Sequence, residues 1–262
     1  MVGLTDPQPS ALRPEPSPSP EPTSSPEPLV PILYRIIALL EVVICSDVLT
    51  QVALAGTLSI FGFRPYIEGR LSVAYVVGIS LADSILLVAL VLILLYAHGE
   101  RPRDVLIGRR PIVGEAAAGL PMMLMALAIA ITVLFTVQRF APSLHTVEQN
   151  PLQDLLGSPR DAALFAFVVL VAGGIREEIQ RAFLLHRFEQ WLGGGTTGVI
   201  VTSIAFGAGH LLQGVDAAIA TSLLGAFWGV VYLRRRSCVA PMVSHAGFDL
   251  VQVLQFVVTR GS

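Results

Sequence analysis

Charged residues are scarce in this chain, and lysine is absent altogether. Only 14% of the 262 residues are Asp, Glu, Lys or Arg, against about 25% in an ordinary soluble domain. Hydrophobic residues make up 53%, and the mean hydropathy is +0.70. This composition excludes a soluble globular domain and predicts an integral membrane protein. All 17 basic residues are arginine, a bias typical of GC-rich bacterial genomes.

Several functional classes are excluded by what else is missing. The two cysteines, Cys45 and Cys238, lie in or beside apolar runs, and their spacing matches no disulfide or metal-binding pattern. We therefore expect each cysteine to pack in the interior or face lipid, without forming a disulfide or a metal site. A net charge of -2 leaves no basic surface for nucleic acid. No HExxH motif is present, which excludes the ordinary zinc-protease helix, and no GxSxG or paired Cys and His indicates a covalent nucleophile.

The first 28 residues differ from the rest of the chain. They contain nine of the 18 prolines, interleaved with serine and glutamate, and no apolar stretch that could serve as the core of a signal peptide. Such a segment cannot bury enough apolar surface to fold. We therefore predict a disordered tail over 1–28, followed by one transmembrane helical domain over 29–262.

Apolar runs of membrane-spanning length fill that domain, since about 20 apolar residues cross a bilayer as a helix. We predict an all-α, polytopic bundle of about seven transmembrane helices. The first and fourth runs are too long for one straight crossing, so we expect each to break or to extend beyond the lipid, the fourth at Gly173 and Gly174. The predicted spans are Leu29–Leu58, Leu71–Ala97, Glu115–Val137, Asp161–Leu192, Thr197–Leu212, Ala217–Leu233 and Val239–Val258.

Arginine placement predicts the orientation in the membrane, because positively charged loops stay cytoplasmic. The loops "GERPRDVLIGRRP" and "RRRS" are rich in arginine, whereas the loop at 213–216 has none. With seven spans both arginine-rich loops fall on one side, and the N-terminus is then cytoplasmic. The expected location is a bacterial cytoplasmic (inner) membrane, with the lipid bilayer as the expected partner. The sequence carries no signal of oligomeric state.

The stretch "IREEIQRAF" places charge inside an apolar run. Glu177, Glu178 and Arg181 lie within about a 100° arc of one helix, and His186 falls on the opposite side. Ionisable groups within lipid are costly, so they usually face the bundle interior and mark function. A structural ion-pair cluster is the alternative interpretation. The single carboxylates on earlier spans, Glu41, Asp47 and Asp83, are expected to make interhelical hydrogen bonds or to lie at span boundaries.

Two later spans carry further polar pairs. In "FGAGH" His210 follows Phe206 by one turn, and in "HAGFD" Asp249 follows His245 by one turn. Burying two imidazoles and three carboxylates is favourable only where these groups meet one another. We therefore expect them to line one cavity in the cytoplasmic half of the membrane, open to the cytoplasm.

The ordered motifs resemble the CAAX-protease and bacteriocin-processing (CPBP) intramembrane endopeptidases, also called the CAAX prenyl protease 2 or lysostaphin resistance protein A-like family. The family pattern is EExxxR, FxxxH and HxxxN or HxxxD on separate helices. Here "EEIQR", "FGAGH" and "HAGFD" stand in that order over 161–258. The first motif departs from the pattern, because Arg181 follows Glu177 by four residues where the family has five. Either Glu177 aligns with the second family glutamate and Arg176 with the first, or Arg181 is shifted by one.

The resemblance implies a membrane-embedded protease of the CAAX type, either a metalloprotease or a glutamate-dependent enzyme, with a peptide or protein substrate at the membrane as its expected partner. Adjacent, partly desolvated carboxylates repel each other, which suits one of them to act as a general base. Glu177 is the preferred base, with Glu178 as its ionised neighbour, although the two roles could be exchanged. The candidate catalytic residues are Glu177, Glu178, Arg181, His210, His245 and Asp249.

Three questions stay open at the level of sequence. Zinc is a possible cofactor with His210, His245 and Glu177 as candidate ligands, whereas the preferred mechanism requires no cofactor. A non-catalytic relative with an immunity or scaffold role is an alternative, motivated by the altered first motif. A proton-coupled transporter is another, although no internal repeat is present.

Overall fold

The computed structural model describes residues 29–148 and 150–260. The predicted disordered tail at 1–28 lies outside the described residues. The described chain is helical apart from loops and one short antiparallel hairpin, in which β1 (Tyr66–Ile67) pairs with β2 (Arg70–Leu71). The prediction of an all-α bundle is confirmed. The helices are α1 (Leu29–Ile44), α2 (Val48–Ile60), α3 (Val73–Ala97), α4 (Ile112–Phe140), α5 (Pro159–Val168), α6 (Glu177–Trp191), α7 (Gly194–Ala208), α8 (Val215–Arg235) and α9 (Val239–Arg260).

Four helices, α3, α4, α8 and α9, are long and apolar enough to cross a membrane unaided. Large apolar side chains on these helices point outward, among them Ile85, Ile131 and Leu254. In water such a surface would be unfavourable, whereas lipid solvates it. The protein is therefore a multi-pass membrane protein. The count of seven spans and the cytoplasmic N-terminus stay predictions.

The first long span is interrupted, as expected. Helix α1 ends at Ile44, α2 begins at Val48, and Asp47 between them has a left-handed backbone with φ of 70°. The fourth long span behaves differently. Instead of breaking at Gly173 and Gly174, the chain passes from α5 through a π-helical segment over Val169–Arg176 into α6. The expected break is thus wrong, and a local widening of the helix takes its place.

Glycine serves close packing in that π-helical segment. A Cβ built on Gly174 would lie 2.5 Å from the Cβ of Ala246 in α9, closer than side-chain carbons approach. The absence of a side chain therefore allows α9 to rest directly on the segment that precedes α6. This contact brings the polar residues of α6 and α9 together.

The fifth span is shorter than the predicted Thr197–Leu212. Helix α7 ends at Ala208, and His210 lies just beyond it, at the start of a 3-10 turn over Leu211–Gln213. The last residues of α7 and its cap read Gly-Ala-Gly, and glycine is a poor helix former. His210 therefore stands at a helix end, where its side chain has more freedom of direction than inside a span.

The two ends of the bundle differ in charge. The arginine-rich end, defined by residues 101–110 and 234–236, is held together by a hydrogen bond from the Cys238 backbone N to the Leu106 O (2.8 Å). The opposite end, defined by residues 141–156 and 209–216, is joined by a contact of 2.7 Å between His145 Nδ1 and Asp216 Oδ2. These two ends serve as references for the position of the site.

Candidate active site

Helix α6 begins with the paired carboxylates, but they have different surroundings. The Glu178 side chain is only 1% exposed and accepts a hydrogen bond from Nη1 of Arg181. The Arg181 guanidinium packs over the rings of Phe206 (4.7 Å to the centroid) and Trp228 (5.6 Å). The Glu177 side chain keeps 17% of its surface and lies 3.6 Å from Nη2 of Arg176. Arg181 is therefore the partner of Glu178, and Arg176 is a partner of Glu177.

His245, on α9, links the two carboxylates. Its Nδ1 lies 2.8 Å from Oε1 of Glu178, and its Nε2 lies 3.8 Å from Oε2 of Glu177. The imidazole stacks on Trp228 with ring centroids 3.8 Å apart, and the indole N–H donates to Oγ of Ser244 (3.0 Å). Because a carboxylate and an indole hold the ring on two sides, its orientation is fixed.

Asp249 lies one turn beyond His245, as the sequence spacing predicts. Its Oδ2 is 3.7 Å from Nε2 of His245. A Cβ built on Gly173 would lie 2.5 Å from the same Oδ2, so the carboxylate occupies the space that a side chain at this position would need. The π-helical segment thus supplies a gap into which Asp249 fits.

His210 approaches from the end of α7. Its Nδ1 is 2.8 Å from the backbone O of Phe206. Since a carbonyl can only accept, Nδ1 carries the hydrogen, and in the neutral ring Nε2 is left with a lone pair. The Phe206 ring lies edge-on to His210 at 4.8 Å and to His245 at 6.1 Å between centroids. Phe206 therefore stands between the two imidazoles and separates their rings.

One cavity of about 560 Å³ is lined by Glu177, His210, His245 and Asp249. Glu178 and Arg181 are not part of its wall and lie behind His245. His186 is also outside, as expected, with Nε2 2.8 Å from Oε1 of Glu100. From these residues the cavity continues to the opposite end of the bundle. There it is lined by His145, Glu148, Asn150, Gln213 and Asp216.

The end of the bundle that the cavity reaches can be compared with the predicted opening of the site to the cytoplasm. The cavity reaches the end opposite to the arginine-rich loops at 101–110 and 234–236. If arginine-rich loops are cytoplasmic, the cavity faces the outside. The predicted orientation and the predicted cytoplasmic access therefore cannot both hold.

A second polar cluster adjoins Glu177. Arg176 pairs with Oδ2 of Asp47, at the break between α1 and α2, and lies 3.8 Å from Oδ2 of Asp83 on α3. Gln180 donates to Oδ1 of Asp47 (3.0 Å) and to the backbone O of Cys45 (2.7 Å). Asp47 thus lies at the boundary between α1 and α2 and accepts interhelical hydrogen bonds, as expected, whereas Asp83 lies within α3 and has no hydrogen-bond partner among the described residues. Sequence patterns assign Arg176 no role beyond the motif alignment, although its position one residue before Glu177 is a signal.

The arrangement does not match a zinc site. Within residues 29–148 and 150–260, no three His, Cys, Asp or Glu side chains are grouped so that they could hold a metal ion. Zinc needs donors at about 2.0 to 2.2 Å in a tight tetrahedron. Nδ1 of His210 is engaged by a carbonyl and Nδ1 of His245 by Glu178, so only Nε2 of each ring is left as a possible metal ligand. The metalloprotease prediction therefore has no support from this geometry.

Comparison with known proteins agrees with the motifs. Residues 159–251 match the family model described as "Rce1-like: Type II CAAX prenyl endopeptidase Rce1-like". No curated protein and no solved structure matches the chain significantly. The matched segment runs from α5 into α9 and contains all three motifs. It confirms the resemblance of this part of the chain to the CAAX-protease and bacteriocin-processing family.

Proposed function

We propose that the protein is an intramembrane endopeptidase that hydrolyses peptide bonds of membrane-associated or C-terminally modified substrates. The observation that carries this proposal is the meeting of Glu177, His210, His245 and Asp249 around one cavity within a membrane bundle. Helices α6 and α9 and the turn after α7 contribute these groups, and the matched family model is described as a type II CAAX prenyl endopeptidase. Peptide hydrolysis needs an activated water, a proton acceptor and a donor to the oxyanion. The cavity offers side chains for each role.

Glu177 is the proposed general base. Glu178 is unsuited to this role, because one of its oxygens already accepts from both Arg181 and His245 and the side chain is almost fully buried. Glu177 lines the cavity and can contact water. Its carboxylate would remove a proton from water while the oxygen attacks the scissile carbonyl carbon. When the C–N bond breaks, the same proton passes to the leaving amine.

The two histidines take complementary roles. Neutral His210 presents the lone pair of Nε2, so it can accept the second hydrogen of the attacking water and orient it. His245 donates from Nδ1 to Glu178, and a proton on its Nε2 lies between Glu177 and Asp249. In this protonated form Nε2–H can donate to the oxyanion. Asp249 positions that proton in the absence of substrate.

The test is a cleavage assay on the full-length protein reconstituted in lipid. A library of apolar peptides, some carrying a C-terminal lipid, is incubated in ¹⁸O-labelled water and read by mass spectrometry. We expect cleavage with one ¹⁸O atom in the new carboxyl group. Glu177→Gln should lower the rate by about 10² or more, since general-base catalysis contributes 10²- to 10⁴-fold.

Asp104→Asn is the matched control, because Asp104 is an exposed carboxylate in the arginine-rich loop. It should cleave like the unmodified protein. Absence of cleavage across the library would contradict the proposal and favour a non-catalytic relative. Passage of intact peptide or protons across the liposome membrane without cleavage would favour the transporter alternative.

A further inference from the structure

Helix α9 continues along the cavity beyond the candidate catalytic residues. His245, Asp249 and Gln252 follow one another at helical spacing, so they share one face of α9, and all three line the cavity. Because α9 begins at Val239, next to the arginine-rich end, Gln252 lies on the side of His245 that leads to the opposite end. The helical rise places Gln252 about 10 Å further along α9 than His245. The cavity therefore has a polar side chain well removed from the groups proposed to act on the scissile bond.

Several other side-chain amides in the cavity wall are engaged with protein groups. Nδ2 of Asn150 donates to Oε1 of Gln213 (3.3 Å), and Gln138 donates to Asp216. Gln252 differs, because it is exposed and, within the part of the chain that the structure describes, has no hydrogen-bond partner. An amide inside a membrane helix is unfavourable unless water or a ligand satisfies it. Gln252 is therefore available to bind a ligand in the cavity.

The chemistry of this position suits a peptide main chain. A side-chain amide offers an acceptor oxygen and two N–H donors, and each residue of an extended peptide offers one N–H donor and one carbonyl acceptor. The cavity-lining residues of α9 next to Gln252 are Phe248, Val253 and Phe256, which are apolar. An amide within an apolar wall can pair with the main chain and leaves the neighbouring side chains of the ligand in apolar surroundings.

We propose that Gln252 binds the main chain of an extended peptide, with its oxygen accepting from the N–H and its amide nitrogen donating to the carbonyl of one substrate residue. An extended chain advances about 3.3 Å per residue, so the 10 Å between His245 and Gln252 corresponds to about three residues. The substrate is thus an unfolded segment without charge at this position. The inference rests on the proposed function, because it places a peptide substrate in the cavity.

The first test is Gln252→Leu, assayed on a cleaved peptide from the library. Leucine has a similar size and is a good helix former, so the variant should keep its fold, which melting curves check. KM should rise about five- to thirtyfold, the effect of losing one or two hydrogen bonds. A change in kcat should be small, because Gln252 lies away from the reacting bond.

Gln255→Leu is the matched control. Gln255 is an exposed glutamine on the same helix, but it does not line the cavity. Its KM should stay at the value of the unmodified protein. A KM that is unchanged in Gln252→Leu, or that rises equally in Gln255→Leu, would overturn the proposal.

Backbone esters locate the contact on the substrate. In a series of peptides, one peptide N–H at a time is replaced by an ester oxygen, which removes the donor and weakens the carbonyl as an acceptor without adding bulk. The largest loss of affinity should occur about three residues from the cleaved bond. In Gln252→Leu this loss should disappear, whereas the losses at other positions should remain. An equal loss in both proteins would show that Gln252 does not contact the main chain.

A binding measurement separates this inference from the proposed function. A fluorescein-labelled octapeptide of alternating alanine and leucine is titrated with Glu177→Gln and with the double variant Glu177→Gln, Gln252→Leu in nanodiscs, and empty nanodiscs provide the background. Weaker binding to the double variant, in a protein that cleaves no peptide, would support the contact and contradict the protease. No binding above background, or equal binding to both variants, would contradict the contact and leave observed cleavage standing.

Discussion

Nδ1 of His245 donates to Oε1 of Glu178 across 2.8 Å, and the same oxygen accepts from Arg181. Because the carboxylate only accepts, this contact determines which nitrogen of His245 faces the cavity. Glu178 is therefore a support for the histidine, and Arg181 is a support for Glu178. The catalytic face proposed for the cavity therefore rests on a buried ion pair that is not part of the cavity wall.

Replacement of Arg181 should show how much stability and activity depend on its ion pair with Glu178. Arg181→Met leaves Glu178 buried without its counter-charge, and breaking one side of a buried pair costs about 3 to 5 kcal/mol. We expect a lower melting temperature and loss of activity. Arg181→Lys should recover only part of both, since the guanidinium also packs on Phe206 and Trp228. Arg64→Met, at an exposed arginine, is the control for loss of charge.

Alanine substitutions at Gly173 and Gly174 should distinguish displacement of the Asp249 carboxylate from displacement of the whole helix α9. Gly173→Ala places a Cβ against Oδ2 of Asp249, so it should displace that carboxylate and lower kcat with a smaller loss of stability. Gly174→Ala places a Cβ against Ala246 and should push α9 away, with a loss of about 1 to 3 kcal/mol in stability.

Gly114→Ala provides the reference for these variants, since a Cβ there meets nothing within 4 Å. It should leave stability unchanged or raise it slightly, because alanine restricts the unfolded chain. Melting curves and steady-state kinetics on the three proteins make the comparison. Equal behaviour of Gly173→Ala and Gly114→Ala would show that Asp249 does not need the gap.

The sequence was informative about contacts within one helix. The contact between His245 and Asp249 and the pairing of Glu178 with Arg181 both follow from helical periodicity, which places residues three or four apart on one face. Contacts between different helices were harder to predict from the sequence. Arg176 and Asp47 are 129 residues apart, and nothing local to either indicates that they meet, because helix packing is decided by the whole bundle.

The position of His210 shows a second limit. An apolar run continues past Ala208, so hydropathy alone extends the helix to Leu212. The helix ends earlier, at Ala208, next to Gly207, where α8 packs so closely that a Cβ would overlap Ser222. Such close approach is a tertiary property. The direction of the cavity was likewise unreadable, because it depends on which loops cover the two ends of the bundle.

Glu100, in the loop after α3, should make stability depend on acid pH. Burial opposes its ionisation, but hydrogen bonds from Arg187, Gln190 and His186 outweigh that effect and lower its pKa below the ordinary value of 4.5. A lowered pKa in the folded state stabilises the protein above 4.5, and this contribution is lost as the pH falls through the folded value.

Melting temperatures of the protein and of Glu100→Gln between neutral pH and about pH 3 test this, because the contribution is lost below the ordinary glutamate pKa of 4.5. The variant should be less stable at neutral pH, and the difference should shrink as the solution becomes more acidic. Glu68→Gln, at an exposed carboxylate of the hairpin, should show no such convergence. If the difference in melting temperature between the two proteins stays constant with pH, Glu100 stabilises the fold through packing and not through its charge.

The last prediction concerns zinc. Nε2 of His245 lies near two carboxylates, and His210 lines the same cavity, but no three His, Cys, Asp or Glu side chains among the described residues are grouped so that they could hold a metal ion. A buried arginine beside each glutamate also suits a base that works without a dication, since a metal would lower the pKa of the water by itself. We therefore expect protein purified in mild detergent to contain well under one zinc per chain by elemental analysis and to keep its activity in a strong chelator. Both measurements should be repeated on His210→Ala. One zinc per chain that disappears in this variant, together with activity that is lost to the chelator and restored by zinc, would make the histidines ligands and reverse the assignment.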